Sequence, residues 1–572
     1  MSTASPAAPV SQSPPPTTFT QRQVRIILFG LMSGMFLASL DQTIVATAIR
    51  TISDDLHGLS IQAWATTAYL ITSTISTPLY GKLSDIYGRR PFFLISITVF
   101  VAGSALCGLA TSMYQLAGYR ALQGIGAGGL FSLALAIIGD IVPPRERAKY
   151  QGYFIAVFGT SSVLGPVVGG FLAGQETILG VAGWRWVFLV NVPIGVASLL
   201  VVFRTLHLPH QRRDHRIDYP GAAALVVGLV PLLIVAEQGR TWGWTSGPAI
   251  TSYALGAIGI IAFLLAERSY GDEALLPLRL FQGRTFVVGS LLNFILGVGM
   301  FGGMAMLPLY LQIVKGKSPT EAGLLLLPMT LGIMTGSTLS GQLIARTGRY
   351  RALPITGLSL LVVSIGLMST IGADTSITLL NGYAIVFGLG LGLNMQTLVL
   401  AIQNAVPPSD MGVATASVAF FRQMGGTLGT AVFLSVLFNG LPEKISAAFR
   451  SAVPTPAFQS ALKDPAVLSS PADRPVLEML SGGGSAGGTN ALNDSSFINQ
   501  LDPRLAKPFL VGFAEQMDVV FLLAAVVLAV AWLVVWFLPE EPLRSLSGIQ
   551  AREDESATSA STSVPASASA SG

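Results

Sequence analysis

Runs of about twenty apolar residues recur along the whole chain, and this limits the fold more than any other feature. Segments 91–111 and 377–403, for example, contain no Asp, Glu, Lys or Arg. About twenty such residues in a helix cross the roughly 30 Å hydrocarbon core of a bilayer. In lipid every backbone N–H and C=O must be paired within the protein, which leaves helices for runs of this length. Fourteen segments fit: 25–48, 61–81, 91–111, 115–140, 150–173, 184–203, 219–238, 248–267, 285–313, 320–345, 352–372, 377–403, 413–438 and 516–538. Only 11% of the 572 residues are charged, against roughly 25% in soluble domains. Such a chain cannot cover a water-facing surface. An all-α membrane protein is expected.

Short loops set the orientation through their basic residues. Sixteen fall on one side: Lys82, Arg89, Arg90, Arg145, Arg147, Lys149, Arg204, Arg212, Arg213, Arg216, Arg268, Arg279, Arg284, Arg346, Arg349 and Arg351. The other side has five, namely Arg50, Arg185, Arg240, Lys315 and Lys317. The first side is therefore expected to face the cytoplasm of a cell (plasma or inner) membrane. An even span count puts both termini there too. Residues 1–24 and 546–572 are rich in small and polar residues and read as disordered tails. The first of them lacks the apolar core of a signal peptide. A net charge of +4 is too small to suggest a nucleic-acid partner. The single cysteine, Cys107, excludes an intramolecular disulfide and reads as a packing residue.

An internal repeat divides the chain. Gly81-Lys82-Leu83-Ser84-Asp85-Ile86-Tyr87-Gly88-Arg89-Arg90 follows the second segment, and Gly341-Gln342-Leu343-Ile344-Ala345-Arg346-Thr347-Gly348-Arg349-Tyr350 follows the tenth. Pro143-Pro144 and Pro407-Pro408 recur after the fourth and twelfth. Two six-helix halves account for this, at 25–215 and 276–545, separated by a two-helix insert at 216–275. A Gly/Ser/Ala-rich external loop is expected at about 440–510. Repeated halves around a midplane site are how many secondary transporters are built.

The first of these loops fits the signature G-x-L-x-D-x-x-G-R-R, and here the chain resembles the major facilitator superfamily. Further matches narrow the resemblance to its fourteen-helix drug:proton antiporters. They are Leu40-Asp41-x-Thr43-Ile44-Val45, Arg120-x-x-Gln123-Gly124-x-Gly126, Gly165-Pro166-x-x-Gly169-Gly170, Trp184-Arg185-Trp186-x-Phe188-x-x-Asn191-x-Pro193 and Arg422-Gln423-x-Gly425-Gly426. Together they cover roughly residues 25–545. The resemblance implies that the loop of Gly81, Asp85, Gly88, Arg89 and Arg90 gates the cytoplasmic side. It implies too that Gly165, Pro166, Gly169 and Gly170 form an antiport motif, and that Asp140 joins Arg145, Glu146 and Arg147 in a cytoplasmic charge cluster. Ala345 replaces the acid in the second copy, so any lock there is weaker. Ala46 and Arg50 replace the family's usual Asn and Pro in the first helix.

Asp41, Arg120 and Arg422 lie within apolar runs, where an ionised side chain costs roughly 2.5–3.5 kcal/mol. Each must face a polar cavity or another charge. At 1.5 Å per residue, Asp41 stands about 24 Å above the inner face and Arg120 about 22 Å. These matching depths favour a pair. Asp41 is the expected proton carrier, with Arg120 adjusting its affinity for the proton; a structural ion pair is the plainer alternative. The substrate cavity is expected to include Asn293, Asn394, Gln396 and Arg422, with Met300, Met304 and Met306 as adaptable lining or simply core. Glu237 and Asp518 read as interfacial.

Three other signals carry no weight. Gly124-x-Gly126-x-x-Gly129 lies within an apolar span, not after a soluble strand. Gly316-Lys317-Ser318 lacks the upstream glycine of a phosphate loop. His207, His210 and His215 have no accompanying cysteine, so no metal and no cofactor are expected. The expected function is export of small hydrophobic or amphipathic compounds by proton antiport, most simply as a monomer. A dedicated exporter of one endogenous metabolite or lipid is the alternative. A lipid-modifying enzyme would need a nucleophile and base that the chain does not offer, and a non-transporting sensor would have lost the buried charges.

Overall fold

The computed structural model describes residues 20–57, 63–206, 218–480 and 500–544, with Ile498 and Gln550 as isolated positions. The tail segments 1–19, 545–549 and 551–572, the three histidines and segment 481–497 lie outside the described residues. So do the side chains of Arg50, Arg145, Arg147, Lys149, Glu237, Arg240 and Met304.

Helices occupy each of the fourteen predicted segments. In the first half they are α1 (Gln21–Asp55), α2 (Ala63–Tyr87), α3 (Arg89–Gly108), α4 (Met113–Ile141), α5 (Pro144–Ala173), α6 (Trp186–Leu189) and α7 (Asn191–Thr205). Next come α8 (Tyr219–Trp242) and α9 (Gly247–Tyr270). The second half comprises α10 (Arg284–Ile313), α11 (Pro319–Leu325), α12 (Leu327–Thr347), α13 (Ala352–Met368), α14 (Ile377–Ala405) and α15 (Met411–Ala452). It continues through three short helices, α16 (Pro456–Leu462), α17 (Pro465–Ser469) and α18 (Arg474–Leu480), to α19 (Pro503–Val535). A two-residue hairpin, β1 (Thr177–Ile178) with β2 (Val181–Ala182), joins α5 to α6. Among the described residues ten helices are long and apolar enough to cross a membrane, and three shorter apolar ones accompany them. Their outer faces present Ile258, Ile261, Leu265, Leu522 and Phe537 to the surroundings, a belt suited to lipid and not to water.

The helix α2 falls short of that apolarity because it is an inner helix. Its Thr72 hydroxyl donates to the Ala121 carbonyl at 2.8 Å and Thr77 to Gly128 at 3.2 Å, both on α4. Hydroxyls paired with backbone oxygens let a polar helix stay out of water. Val190 between α6 and α7 and Leu326 between α11 and α12 keep right-handed helical φ and ψ, so each pair of helices runs on as one span.

Packing repeats between the halves. In the first, α1 meets α5 and α7, α2 meets α4, and α3 meets α4 and α7. In the second, α10 meets α15 and α19, α12 meets α14, and α13 meets α14 and α19. Crossing contacts repeat likewise, α2 on α15 and α12 on α5. The paired loops match in detail. Gly88 and Gly348 both have positive φ, 99° and 68°, which glycine adopts without steric cost. Beyond them Arg90 donates to the Phe203 carbonyl near the end of α7, and Arg351 to the Trp536 carbonyl at the end of α19, each at 2.7 Å. The insert helix α8 packs against both halves through Leu225, Leu229 and Leu233, beside Ile71 and Ile75 of α2 and Phe420 of α15.

Within segment 440–510 the described residues, 440–480 and 500–510, are largely helical. The helix α15 continues to Ala452, and Phe449 stacks edge-on against Phe458 and Phe509, 6.1 and 4.9 Å between centroids. Buried aromatic pairs hold a cap that glycine content alone does not suggest. Arg504 locks the same cap through Asp464 at 2.8 Å and Asp502 at 2.9 Å. The guanidinium holds both carboxyls below their ordinary range. A depressed carboxyl stabilises above its unfolded value, about 3.9, and loses that contribution as pH falls through the folded one. Protection from hydrogen exchange over 456–469, relative to the intrinsic rate at each pH, should therefore fall below about pH 4, and Arg504→Gln should produce the same loosening at neutral pH. Identical exchange in variant and parent would remove Arg504 from the cap's stability.

Candidate functional site

Asp41 is fully enclosed at the centre of the first half. Arg120 and Gln123, one turn apart on α4, share a face and converge on its carboxylate. Arg120 Nη1 stands 2.6 Å from Oδ2, and Gln123 Nε2 donates to Oδ1 at 2.9 Å. A third donor is Asn191 Nδ2 at 2.7 Å, at the first residue of α7. The Arg120 guanidinium also donates to Gln123 Oε1 at 2.7 Å and to the Ala65 carbonyl at 3.2 Å. It lies 4.1 Å from the Tyr69 ring centroid, within cation–π range. Ser104, bonded to Asn191 at 3.0 Å, and Cys107, at 3.7 Å from Gln123, complete the cluster. Charge-assisted bonds of this kind are roughly twice as strong as neutral ones. One buried acceptor, Asn191 Oδ1, has no partner among the described residues.

Two residues beyond Asp41, α1 passes closely over α5. A Cβ on Gly165 would overlap the Thr43 side chain, and one on Gly169 would stand 2.8 Å from the Ile44 carbonyl oxygen. Thr43 also donates to the Ser161 carbonyl at 3.0 Å. Gly170 faces open space, while Pro166 lies near Gly323 of α11, in the other half. The α5 motif thus touches both the helix carrying Asp41 and the opposite bundle.

A second charged cluster closes the basic end. Asp85 accepts from Gly412 N at 3.2 Å and Val413 N at 2.9 Å. These belong to the first turn of α15, whose N–H groups have no intrahelical partner. Arg89 binds Asp85 at 2.6 Å and Asp140 at 2.7 Å, linking α2 to α4. The approach is close enough that a Cβ on Gly81 would stand 2.9 Å from the Gly412 carbonyl oxygen. The segment leaving the insert joins in. Arg279 binds Asp272 at 2.6 Å and Asp410 at 2.9 Å, and Lys82 donates to the Asp272 carbonyl at 3.3 Å. Between them lies a cavity of about 110 Å³.

The residues expected to line one cavity have different surroundings. Asn394 is wholly buried, bonded to Gly390 of its own helix and packed against Gly357 of α13. It fills a helix contact, because its short amide returns to the preceding turn. Asn293 is equally buried and returns to Gly289. Gln396 is 7% exposed, and Oδ1 of Asn293 and Oε1 of Gln396 lack partners among the described residues. Arg422 is partly exposed. Met300 and Met306 lie in the core of the second half. Gly124 and Gly126 press against Tyr69 and Phe100 as helix contacts. Gln123, Asn191, Tyr69, Arg279 and Asp410 were not assigned roles from sequence. For Gln123 a signal existed, its three-residue spacing from Arg120; Arg279 and Asp410 lie 131 positions apart and had none.

Two like bundles of membrane-crossing helices around buried charges define a multi-pass membrane transporter fold. The family model of the Major Facilitator Superfamily matches residues 31–430, and the chain belongs to that superfamily of transporters, which are not enzymes. Rv1877, an uncharacterised MFS-type transporter of Mycobacterium tuberculosis, is 36% identical over 523 residues, 91% of this chain and 70% of that protein. The multidrug transporter protein MdtP of Bacillus subtilis is 37% identical over 418 residues, 73% of this chain and 76% of that protein. The solved proton:xylose symporter XylE aligns at a TM-score of 0.55, 15% identity, over 93% of this chain and 100% of that one. That likeness concerns the fold alone.

Removing Arg89 leaves two buried carboxylates without their cation, and breaking such a pair costs about 3–5 kcal/mol. Arg89→Ala should lower the unfolding temperature in detergent clearly, and an unchanged transition would show the cluster to be energetically idle. Gly165→Leu should separate α5 from α1; unaltered cross-linking between cysteines placed on those helices would contradict the close contact.

Proposed function

We propose that the protein exports small hydrophobic or amphipathic compounds, drugs and toxins among them, in exchange for protons. It alternates access between its two halves. All fourteen helical segments cross the cell membrane, with the basic loops and both termini on the cytoplasmic side, and the protein acts as a monomer. Asp41 carries the proton. The observation behind this is a carboxylate 0% exposed, held by three donors on two neighbouring helices, with the unpartnered Asn191 Oδ1 beside it. A neutral Asp41 needs an acceptor for its new O–H, and that amide oxygen is the spare one in the cluster. Protonation frees Arg120 from its counter-charge. The α1–α5 contact at Thr43 and Gly165 then links that change to α5 and, through Pro166, to the other half.

Asp85 and Arg89 hold the cytoplasmic side shut while their bonds to α15 and α4 last. The similarity to MdtP supports multidrug export over a single endogenous cargo. A proton entering down 100 mV releases about 2.3 kcal/mol. At 1.4 kcal/mol per factor of ten this sustains roughly a fifty-fold gradient of a neutral solute, so one carboxylate suffices. Asp41→Asn is expected to abolish proton-driven efflux from vesicles with an imposed pH gradient while the protein remains folded in the membrane. Undiminished pumping by that variant would sink the assignment.

A further inference from the structure

Of the three charges buried in the apolar runs, two neutralise each other and the third stands alone. Arg422 lies eleven residues after Met411, so about 16 Å along α15, near the middle of the hydrocarbon core. No hydrogen bond, ion pair or ring contact reaches its side chain among the described residues, and the residue is only partly covered. It does not face lipid on an outer helix. The helix α15 packs against α2, α4, α8, α10, α14 and α19. Its neighbour Gln423 reaches across to Ser73 of the opposite half at 3.3 Å.

The backbone holds Arg422 firmly. A Cβ on Gly297 of α10 would overlap the Arg422 carbonyl, so the two helices are in direct contact there. One turn before Gly297 on the same face of α10 is Asn293, whose Oδ1 has no partner. A further turn on, Gly289 meets Ile402 of α14. The Arg422 backbone is thus fixed where α15 meets α10, close to the boundary between the halves, and its guanidinium has no anion among the described residues. An unpaired guanidinium in an apolar interior is costly, and its planar fork of five donors suits carboxylate geometry better than any neutral group.

We infer that the missing anion is supplied by the cargo: the preferred substrates are amphipathic organic acids, whose carboxylate or phenolate binds Arg422 while their apolar body occupies the surrounding interior. This rests on the exporter reading and narrows it. The energetics agree, since an anion leaving a negative interior moves down the same potential that draws the proton in.

The test uses the full-length protein and three pyrene probes of one skeleton: 1-pyrenebutyrate, its methyl ester and 1-pyrenebutylamine. Binding is read by fluorescence in detergent, and transport in proteoliposomes under a proton gradient. The acid should bind and move best in the parent protein. Arg422→Gln should weaken acid binding by about tenfold or more, as expected for losing charge-assisted bonds, and leave ester binding within about twofold. Arg422→Lys, which keeps the charge, should still prefer acid to ester. Unchanged acid binding in Arg422→Gln, equal loss of acid and ester, or a parent that prefers the amine each overturns the inference while leaving export intact. Failure of the parent to move any probe under the gradient would instead remove the exporter reading, and the inference with it.

Discussion

A carboxylate in the middle of a bilayer survives only if its surroundings replace the water it has lost, and at Asp41 they do so with three donors. Desolvating one ion costs several kcal/mol even after relaxation, comparable to a domain's whole stability. Arg120, Gln123 and Asn191 offset this from α4 and α7. Much local geometry serves that arrangement. Asn191 of α7 faces the carboxylate, Tyr69 lies against the guanidinium, and the glycines of α5 admit α1 alongside the site. A site so fully enclosed exchanges a proton only if helices move.

A second charged cluster lies at the basic end. Asp85 and Arg89 form one shared cluster with the start of α15 and the end of α4. Breaking one bond there exposes the others, so the contact behaves as a unit. The insert is tied into the same place through Arg279 and Asp272. Its first helix lies against both halves, so the insert is a structural member and not a spacer. At the opposite end, the aromatic cap of Phe449, Phe458 and Phe509 extends α15 beyond the thickness a bilayer requires.

The two halves share a packing scheme but have diverged in chemistry. The repeated loops keep their glycine conformation and their arginine contacts to a terminal helix. The acid of the first loop has no counterpart at Ala345, and the ion pair of the first half has none among the described residues of the second. There Arg422 is only partly covered. One half holds a balanced ion pair, and the other an arginine with no counter-ion among the described residues.

The sequence alone determined the helices, the repeat and the pairing of Asp41 with Arg120. Lipid permits few backbone solutions, and helical rise converts residue number into depth. Depth says nothing of azimuth, and on this point only the tertiary structure decided. Asn394 has the composition of a cavity residue, yet its side chain turns into the α13 contact. Gln123 and Asn191 stand in sequence only as members of family motifs, and they prove to hold the carboxylate. Segment 440–510 reads as a loop by its composition, whereas three separated phenylalanines join its described parts, before residue 481 and after 499, in a cap. Each of these outcomes depends on residues distant in the chain meeting at one point, and helical periodicity along a single segment does not encode that meeting.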